Sequence, residues 1–151
     1  MHWIVKDVLP SAVATDAPKL ALPAGLRRLA EALRAAGGRP YVVGGAVRDA
    51  LLGLPLADFD LEVFGLPAER LAGVLSAVGK VDAAGQAFTV YKLSGLPGVP
   101  GAVDVSLPRR DSKVGRGHKG IAVVGDPDLP LEEAARRRDF TINALLYDPF
   151  R

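Results

Sequence analysis

An apolar strand that breaks at two consecutive glycines, Val42-Val43-Gly44-Gly45, and gives way a short distance on to Asp58-Phe59-Asp60 constrains this chain more than any other feature. Glycine lets a strand stop and turn straight into a helix, and residues 47–52 read as that helix, closed by Gly53. The first amides of a helix lack intrahelical acceptors, so such a corner presents N–H groups to a phosphate lying against it. Arg48 falls in the first turn, where a guanidinium can fork onto phosphate oxygens. The glycine pair does not open the dinucleotide pattern G-x-G-x-x-G at this turn, so a Rossmann site is not indicated there. Taken alone, the glycine pair is also what a plain structural turn needs.

The carboxylates add metal chemistry. With residues 58–64 read as a strand, side chains two apart share a face, so Asp58 and Asp60 project together and Phe59 faces away. Their Cβ atoms then stand roughly 6–7 Å apart, a spacing suited to divalent ions about 3.5–4 Å from each other. An exposed strand edge produces the same D-x-D pattern without any ion. Glu62 shares the face but lies roughly 13 Å from Asp58 at strand rise, too far to share the same ions. A third ligand is therefore expected from a neighbouring strand. Asp104, inside the apolar run Val103-Asp104-Val105, is the candidate, because an acid there is costly to bury unless paired or metal-bound.

A third segment, Arg138-Asp139-Phe140-Thr141-Ile142-Asn143, carries an arginine, an acid and an amide at a helix start. Arg138 is placed to meet phosphate. Asp139 and Asn143, one helical turn apart, are placed to fix a sugar or brace the site, although Asp139 also suits a simple N-cap. His118 is given no role.

The remaining chain supports one α/β domain. At 151 residues it can bury a core without staples, and with no cysteine it has neither disulfides nor thiolate-held zinc. No apolar run reaches transmembrane length and the first residues lack a signal-peptide layout, so a cytoplasmic protein with no membrane partner is expected. Residues 1–106 carry 10 basic and 10 acidic side chains, and residues 107–151 carry 9 and 7, giving the net +2. The excess gathers in Arg109, Arg110, Lys113, Arg116 and Lys119 and again in Arg136-Arg137-Arg138. The first group lies in a glycine-bearing stretch, 108–120, expected to be a mobile loop that touches RNA or phosphate. Helices are expected at 24–36, 68–78, 131–138 and 140–145. Strands are expected at 41–43, 80–83, 88–93, 102–107 and 121–124, with the site along one edge of the sheet. Residues 1–23, broken by three prolines, are a lead-in of strand or coil with no assigned role.

Together, Gly44 to Gly53 (GGAVRDALLG), Asp58-Phe59-Asp60, Val103 to Lys113 (VDVSLPRRDSK) and Arg137 to Leu145 (RRDFTINAL) strongly resemble the catalytic head of class II CCA-adding enzymes and bacterial poly(A) polymerases. The resemblance runs from about residue 26 to 149. It implies a polymerase-β-like nucleotidyltransferase fold, with a small mixed sheet flanked by helices, filling residues 1–151. It implies Asp58 and Asp60 as catalytic metal ligands, Asp104 as the third carboxylate, and two Mg2+ ions. It further implies that Gly45 and Arg48 contact the incoming nucleoside triphosphate, with Gly44 alongside, and that Arg138 belongs to the nucleotide site. The reaction implied is nucleotidyl transfer from CTP or ATP to the 3′-hydroxyl of RNA, tRNA in particular, with release of pyrophosphate.

Relatives continue into helical neck, body and tail domains that read the base and clamp tRNA, and these have no counterpart here; a missing or separate helical domain is the implied partner. Two other readings stay open: a non-catalytic nucleotide- or RNA-binding regulatory module, and a small nucleotidyltransferase acting on a non-RNA acceptor.

Overall fold

The computed structural model describes residues 3–4, 13–14, 19–55, 58–82, 90–113, 121–136 and 146–150. In chain order the elements are β1 (Trp3–Ile4), β2 (Val13–Ala14), α1 (Ala24–Ala35), β3 (Arg39–Val43), α2 (Gly45–Leu51), β4 (Asp60–Phe64), α3 (Ala68–Val78) and β5 (Lys80–Asp82). They continue with β6 (Val90–Ser94), β7 (Val103–Ser106), β8 (Arg109–Lys113), β9 (Ile121–Gly125), α4 (Leu131–Arg136) and β10 (Leu146–Tyr147).

Helical spacing of apolar residues makes α1 and α3 one-sided. Pro23 and Pro67 precede them, and each turns Leu side chains inward: Leu26, Leu29 and Leu33 from α1, Leu71 and Leu75 from α3. Those leucines pack with Val42, Leu61, Val63, Leu93, Val103 and Val105 of the sheet, all buried. Each such side chain contributes about 1.5–3 kcal/mol by leaving water. Gly25, in the first turn of α1, donates its N–H to the Pro97 carbonyl at 2.8 Å, and a Cβ there would stand 2.5 Å from that oxygen. Only a residue without a side chain lets the helix sit that close. Ala46 and Val47 of α2 join the same core, while Leu51, Leu52 and Leu54 just beyond are exposed.

Eight described strands form one mixed sheet in the order β2-β1-β10-β3-β4-β7-β6-β5, and β8 and β9 form a separate antiparallel hairpin. The β4–β7 pairing is parallel, and the other described pairings are antiparallel. The fold is thus mixed α/β, its sheet flanked by helices. Strand alternation turns Tyr41, Val43 and Phe64 away from α1 and α3, into a smaller cluster with Leu129, Ala134 and Leu146. Pro40 falls where β10 no longer flanks β3, since β10 pairs only Val42 and Val43; a residue lacking an N–H belongs on such an open flank.

Several expectations are corrected. The 108–120 stretch is not a loop throughout: Arg109–Lys113 is a strand registered on Ile121–Gly125. Its charged composition hid this, because pairing with an apolar partner strand decides the conformation rather than intrinsic preference. β4 starts at Asp60 rather than Asp58, and α2 starts at Gly45 rather than Val47. β3 begins at Arg39. The acids lie not along a sheet edge but on its central strands, at their ends. The lead-in supplies two short strands, β1 and β2, the former pairing with β10; neither β2 nor β10 is visible as periodicity. The expected 140–145 helix lies outside the described residues, as does the 137–138 end of the helix expected from residue 131.

Candidate active site

β3 ends, and β4 and α2 begin, at the diglycine corner, with the start of β7 one strand further out. β3 finishes at Val43, Gly44 caps α2, and Gly45 opens it. Gly44 holds φ +74° and ψ −142°, a combination occupied almost only by glycine. The register then brings the acids to that corner. Asp60, first residue of β4, pairs with Val43 on one side and with Asp104 on the other. A Cβ on Gly44 would stand 3.2 Å from Asp60 Oδ2, so the missing side chain is what leaves room for this carboxylate against the turn.

Asp58 is exposed and lies just outside β4, followed by buried Phe59 and half-buried Asp60. The alternation of burial therefore extends past the end of the ladder. The Phe59 carbonyl accepts from Asp104 N–H at 3.4 Å, tying the D-x-D segment to β7. Glu62, two residues further on, is fully buried and registers with Tyr41 and Ser106.

Arg48 bends back over the start of its own helix. Its Nη2 lies 3.3 Å from where a Gly45 Cβ would be, and its Nε donates to Asp49 Oδ1 at 3.1 Å. The side chain is still 40% exposed, so the outer face of the guanidinium is open beside the first amides of α2.

Asp104 has a cation partner that the sequence reading overlooked. Lys92 of β6 is its register partner and donates Nζ to Asp104 Oδ1 at 3.0 Å. The hydrogen bond to Asp104, then the attraction of its charge, hold the Lys92 ammonium above its ordinary value of 10.5. Slight burial opposes them, and the charges of Asp60 and Asp82 reinforce them. The clue was present in Val90-Tyr91-Lys92-Leu93, where strand alternation sets the lysine on the polar face. Asp49, the anchor of Arg48, was likewise overlooked.

Carboxylate oxygens are the donors a hard divalent cation prefers. Among the described residues no three acidic, histidine or cysteine side chains gather into one metal-holding group. Asp60 and Asp104, register partners on adjacent strands, supply two carboxylates, the number with which a protein commonly holds magnesium while substrate phosphates and water complete its shell.

Arg109 is half-buried at the start of β8, and Arg110 and Lys113 share that strand. Arg116, Lys119, Arg138, Asp139 and Asn143 lie outside the described residues. No described helix is long and apolar enough to cross a membrane.

A mixed sheet with acids at its central strand ends, set against a glycine corner that starts a helix, is the architecture of nucleotidyltransferase heads. Residues 40–151 match the family described as poly A polymerase head domain, and the chain belongs to that family. It is 48% identical over 111 residues to the Multifunctional CCA protein of Aromatoleum aromaticum, covering 73% of this chain and 25% of that protein. It is 40% identical over 118 residues to the Multifunctional CCA protein of Vibrio vulnificus, covering 73% and 26%. Among solved structures, the Bacillus stearothermophilus CCA-adding enzyme in complex with CTP superposes with TM-score 0.61 at 26% identity, over 85% of this chain and 29% of that one. A tRNA nucleotidyltransferase complexed with a primer tRNA and an incoming ATP analog gives 0.54 at 28%, over 81% and 34%. The chain thus spans about a quarter of the length of the curated relatives it matches.

Proposed function

We propose that this chain is the catalytic head of a nucleotidyltransferase that joins CMP or AMP, from CTP or ATP, to the 3′-hydroxyl of an RNA, in particular a tRNA end. The observation that carries the proposal is Asp60 Oδ2 standing 3.2 Å from where a Gly44 Cβ would be, which sets an acid beside the glycine corner that in this reading takes the triphosphate. The hydroxyl oxygen attacks the α-phosphorus, the bond to the bridging oxygen breaks, and pyrophosphate leaves. In this reaction the protein chiefly positions groups and stabilises charge.

In this reading Asp58 and Asp60 hold the divalent ions, with Asp104 as the third donor. Two magnesium ions, when bound, neutralise the triphosphate and make the hydroxyl easier to deprotonate. Gly44 and Gly45 let the triphosphate approach the backbone, and the open face of Arg48 forks onto its oxygens. Arg138, Asp139 and Asn143 complete the nucleotide site, and the basic residues Arg109, Arg110, Lys113, Arg116 and Lys119 meet RNA phosphates. Solved relatives are complexes with CTP, with tRNA and with an incoming ATP analog, which supports these substrate classes. A helical domain, in the same polypeptide or separate, supplies base choice and primer docking, and the setting is cytoplasmic.

The test uses magnesium, labelled CTP or ATP, and a tRNA lacking its 3′ end, beside an Asp58→Ala/Asp60→Ala control. Metal-dependent extension that vanishes in the control supports the proposal. Nucleotide binding with no extension, even after a helical domain from a relative is added, favours a regulatory module. Labelling of a small molecule or protein instead favours a different acceptor.

A further inference from the structure

We infer that Lys92 is a displaceable counter-ion of the acidic site, occupying Asp104 until a divalent cation takes that carboxylate and then moving to Asp82. Nothing in the nucleotidyl-transfer reading assigns Lys92 a part; the inference rests on that reading only for Asp60 and Asp104 as cation-binding acids.

The sheet sets these groups in one row. Register pairs Asp82 with Lys92, Lys92 with Asp104, Asp104 with Asp60, and Asp60 with Val43. Register partners face the same side, so five neighbouring strands present acid, lysine, acid, acid and then the glycine corner, at steps of about 4.8 Å. Lys92 is the sole cation in this row and stands between two acids. Its Nζ engages Asp104 Oδ1 at 3.0 Å. Asp104 Oδ2 has no hydrogen-bond partner among the described residues.

Both side chains of the pair are well exposed, 58% and 41%. A pair this wet adds little to folding, so stability does not account for a lysine here. Its electrostatic effect is direct. Without the ammonium, Asp60 and Asp104 are like charges on adjacent strands, which repel. With it, the row is partly neutralised and the carboxylate stays aimed along the sheet. A divalent ion arriving beside Asp60 brings twice the charge and competes for the same oxygen. The four-carbon lysine stem is flexible enough to swing one strand outward, where Asp82 receives it. The third carboxylate is thereby released only when an ion is present to use it.

Binding of Mn2+ as the probe ion, followed by calorimetry and by the electron-spin resonance of free Mn2+, tests this without any turnover. Lys92→Met should tighten Mn2+ binding on the order of three- to tenfold at low salt. Asp104→Asn should weaken binding and abolish the gain in the Lys92→Met/Asp104→Asn double variant. Asp82→Asn, which removes the outer resting place, should weaken Mn2+ binding with Lys92 present and have no effect with Met there. In the unmodified protein, added Mg2+ should shift the Lys92 Cε resonance, and Asp82→Asn should suppress the shift. Unchanged or weaker Mn2+ binding in Lys92→Met, with binding lost in Asp58→Ala/Asp60→Ala, overturns this inference alone. Failure of the unmodified chain to bind Mn2+, or binding that survives the double alanine change, overturns the metal-site reading and the inference with it.

Discussion

Asp60 and Asp104 are register partners in the one parallel pairing among the described strands, β4 on β7. A parallel neighbour brings two strand beginnings to the same level, and both acids lie within the first two residues of their strands. They differ in surroundings: Asp60 abuts the Gly44 turn, whereas Asp104 is tied to Lys92. The two acids should therefore not be equivalent. Asp60→Asn is expected to lower nucleotide transfer by about 100- to 1,000-fold or more, corresponding to several kcal/mol of lost transition-state stabilisation. Asp104→Asn should cost less. Rates of labelled nucleotide incorporation at saturating magnesium decide the order, and equal losses would contradict it.

Gly44 tests the same corner from the backbone side. Its φ of +74° strains any other residue, and a Cβ would press on Asp60 Oδ2. Gly44→Ala should destabilise the fold by about 1–3 kcal/mol and displace the carboxylate as well. Urea unfolding measures the first effect and Mn2+ affinity the second. A variant with full stability and full affinity would show that the turn and the acid are independent.

What the sequence made legible was the part written in local pattern. The leucines of α1 and α3 announce their buried faces, and Val42-Val43-Gly44-Gly45 announces a strand that must turn. The face shared by Asp60 and Glu62 follows from alternation alone, and the strand Val103–Ser106 from its apolar residues. Strand order was not legible, because register between β4 and β7 depends on residues 44 apart in sequence for Asp60 and Asp104. Lys92 went unnoticed for that reason: its importance comes from the strand beside it, not from its own neighbours in the chain. β8 was missed because Arg109-Arg110-Asp111-Ser112-Lys113 carries no apolar alternation, and its conformation is set by Ile121–Gly125. Strands as short as β1, β2 and β10 are too brief for any period to register.

Arg48 is predicted to act through geometry as well as charge. Its Nε is committed to Asp49 Oδ1, which orients the rest of the guanidinium over Gly45. A lysine keeps the charge but cannot make that bond and bind phosphate with a fork at once. Arg48→Ala should weaken CTP or ATP binding by about 10- to 100-fold, the range of a lost charge-assisted hydrogen bond. Arg48→Lys should recover only part of it, and Asp49→Asn should give a smaller loss. Full recovery by lysine in a nucleotide titration would reduce the role of Arg48 to charge alone.

Gly25 offers a test of the scaffold away from the chemistry. A methyl group there would meet the Pro97 carbonyl oxygen at 2.5 Å and its nitrogen at 2.6 Å, and neither backbone atom can move without shifting the turn. Gly25→Ala should destabilise the fold by about 1–3 kcal/mol through overpacking, despite alanine's better helix propensity. Leu29→Ala, which empties a fully buried site, should cost about 2–5 kcal/mol. Denaturant midpoints measure both. A stabilised Gly25→Ala would mean that propensity outweighs the close approach.

The Lys92–Asp104 pair sets a pH dependence whose sign is fixed. The folded chain holds Lys92 protonated above the ordinary 10.5, chiefly through the hydrogen bond to Asp104. A group with a raised folded value contributes its stability fully below the unfolded value and loses it as pH climbs through the folded one. The small difference in stability between the unmodified protein and Lys92→Met should therefore be flat from neutral pH to about pH 10 and shrink above it. Raising salt should reduce that difference, because the pair is exposed. Titration of the Lys92 Cε resonance gives the protonation directly. A midpoint at or below that of the other lysines would show that the bond to Asp104 does not persist in solution.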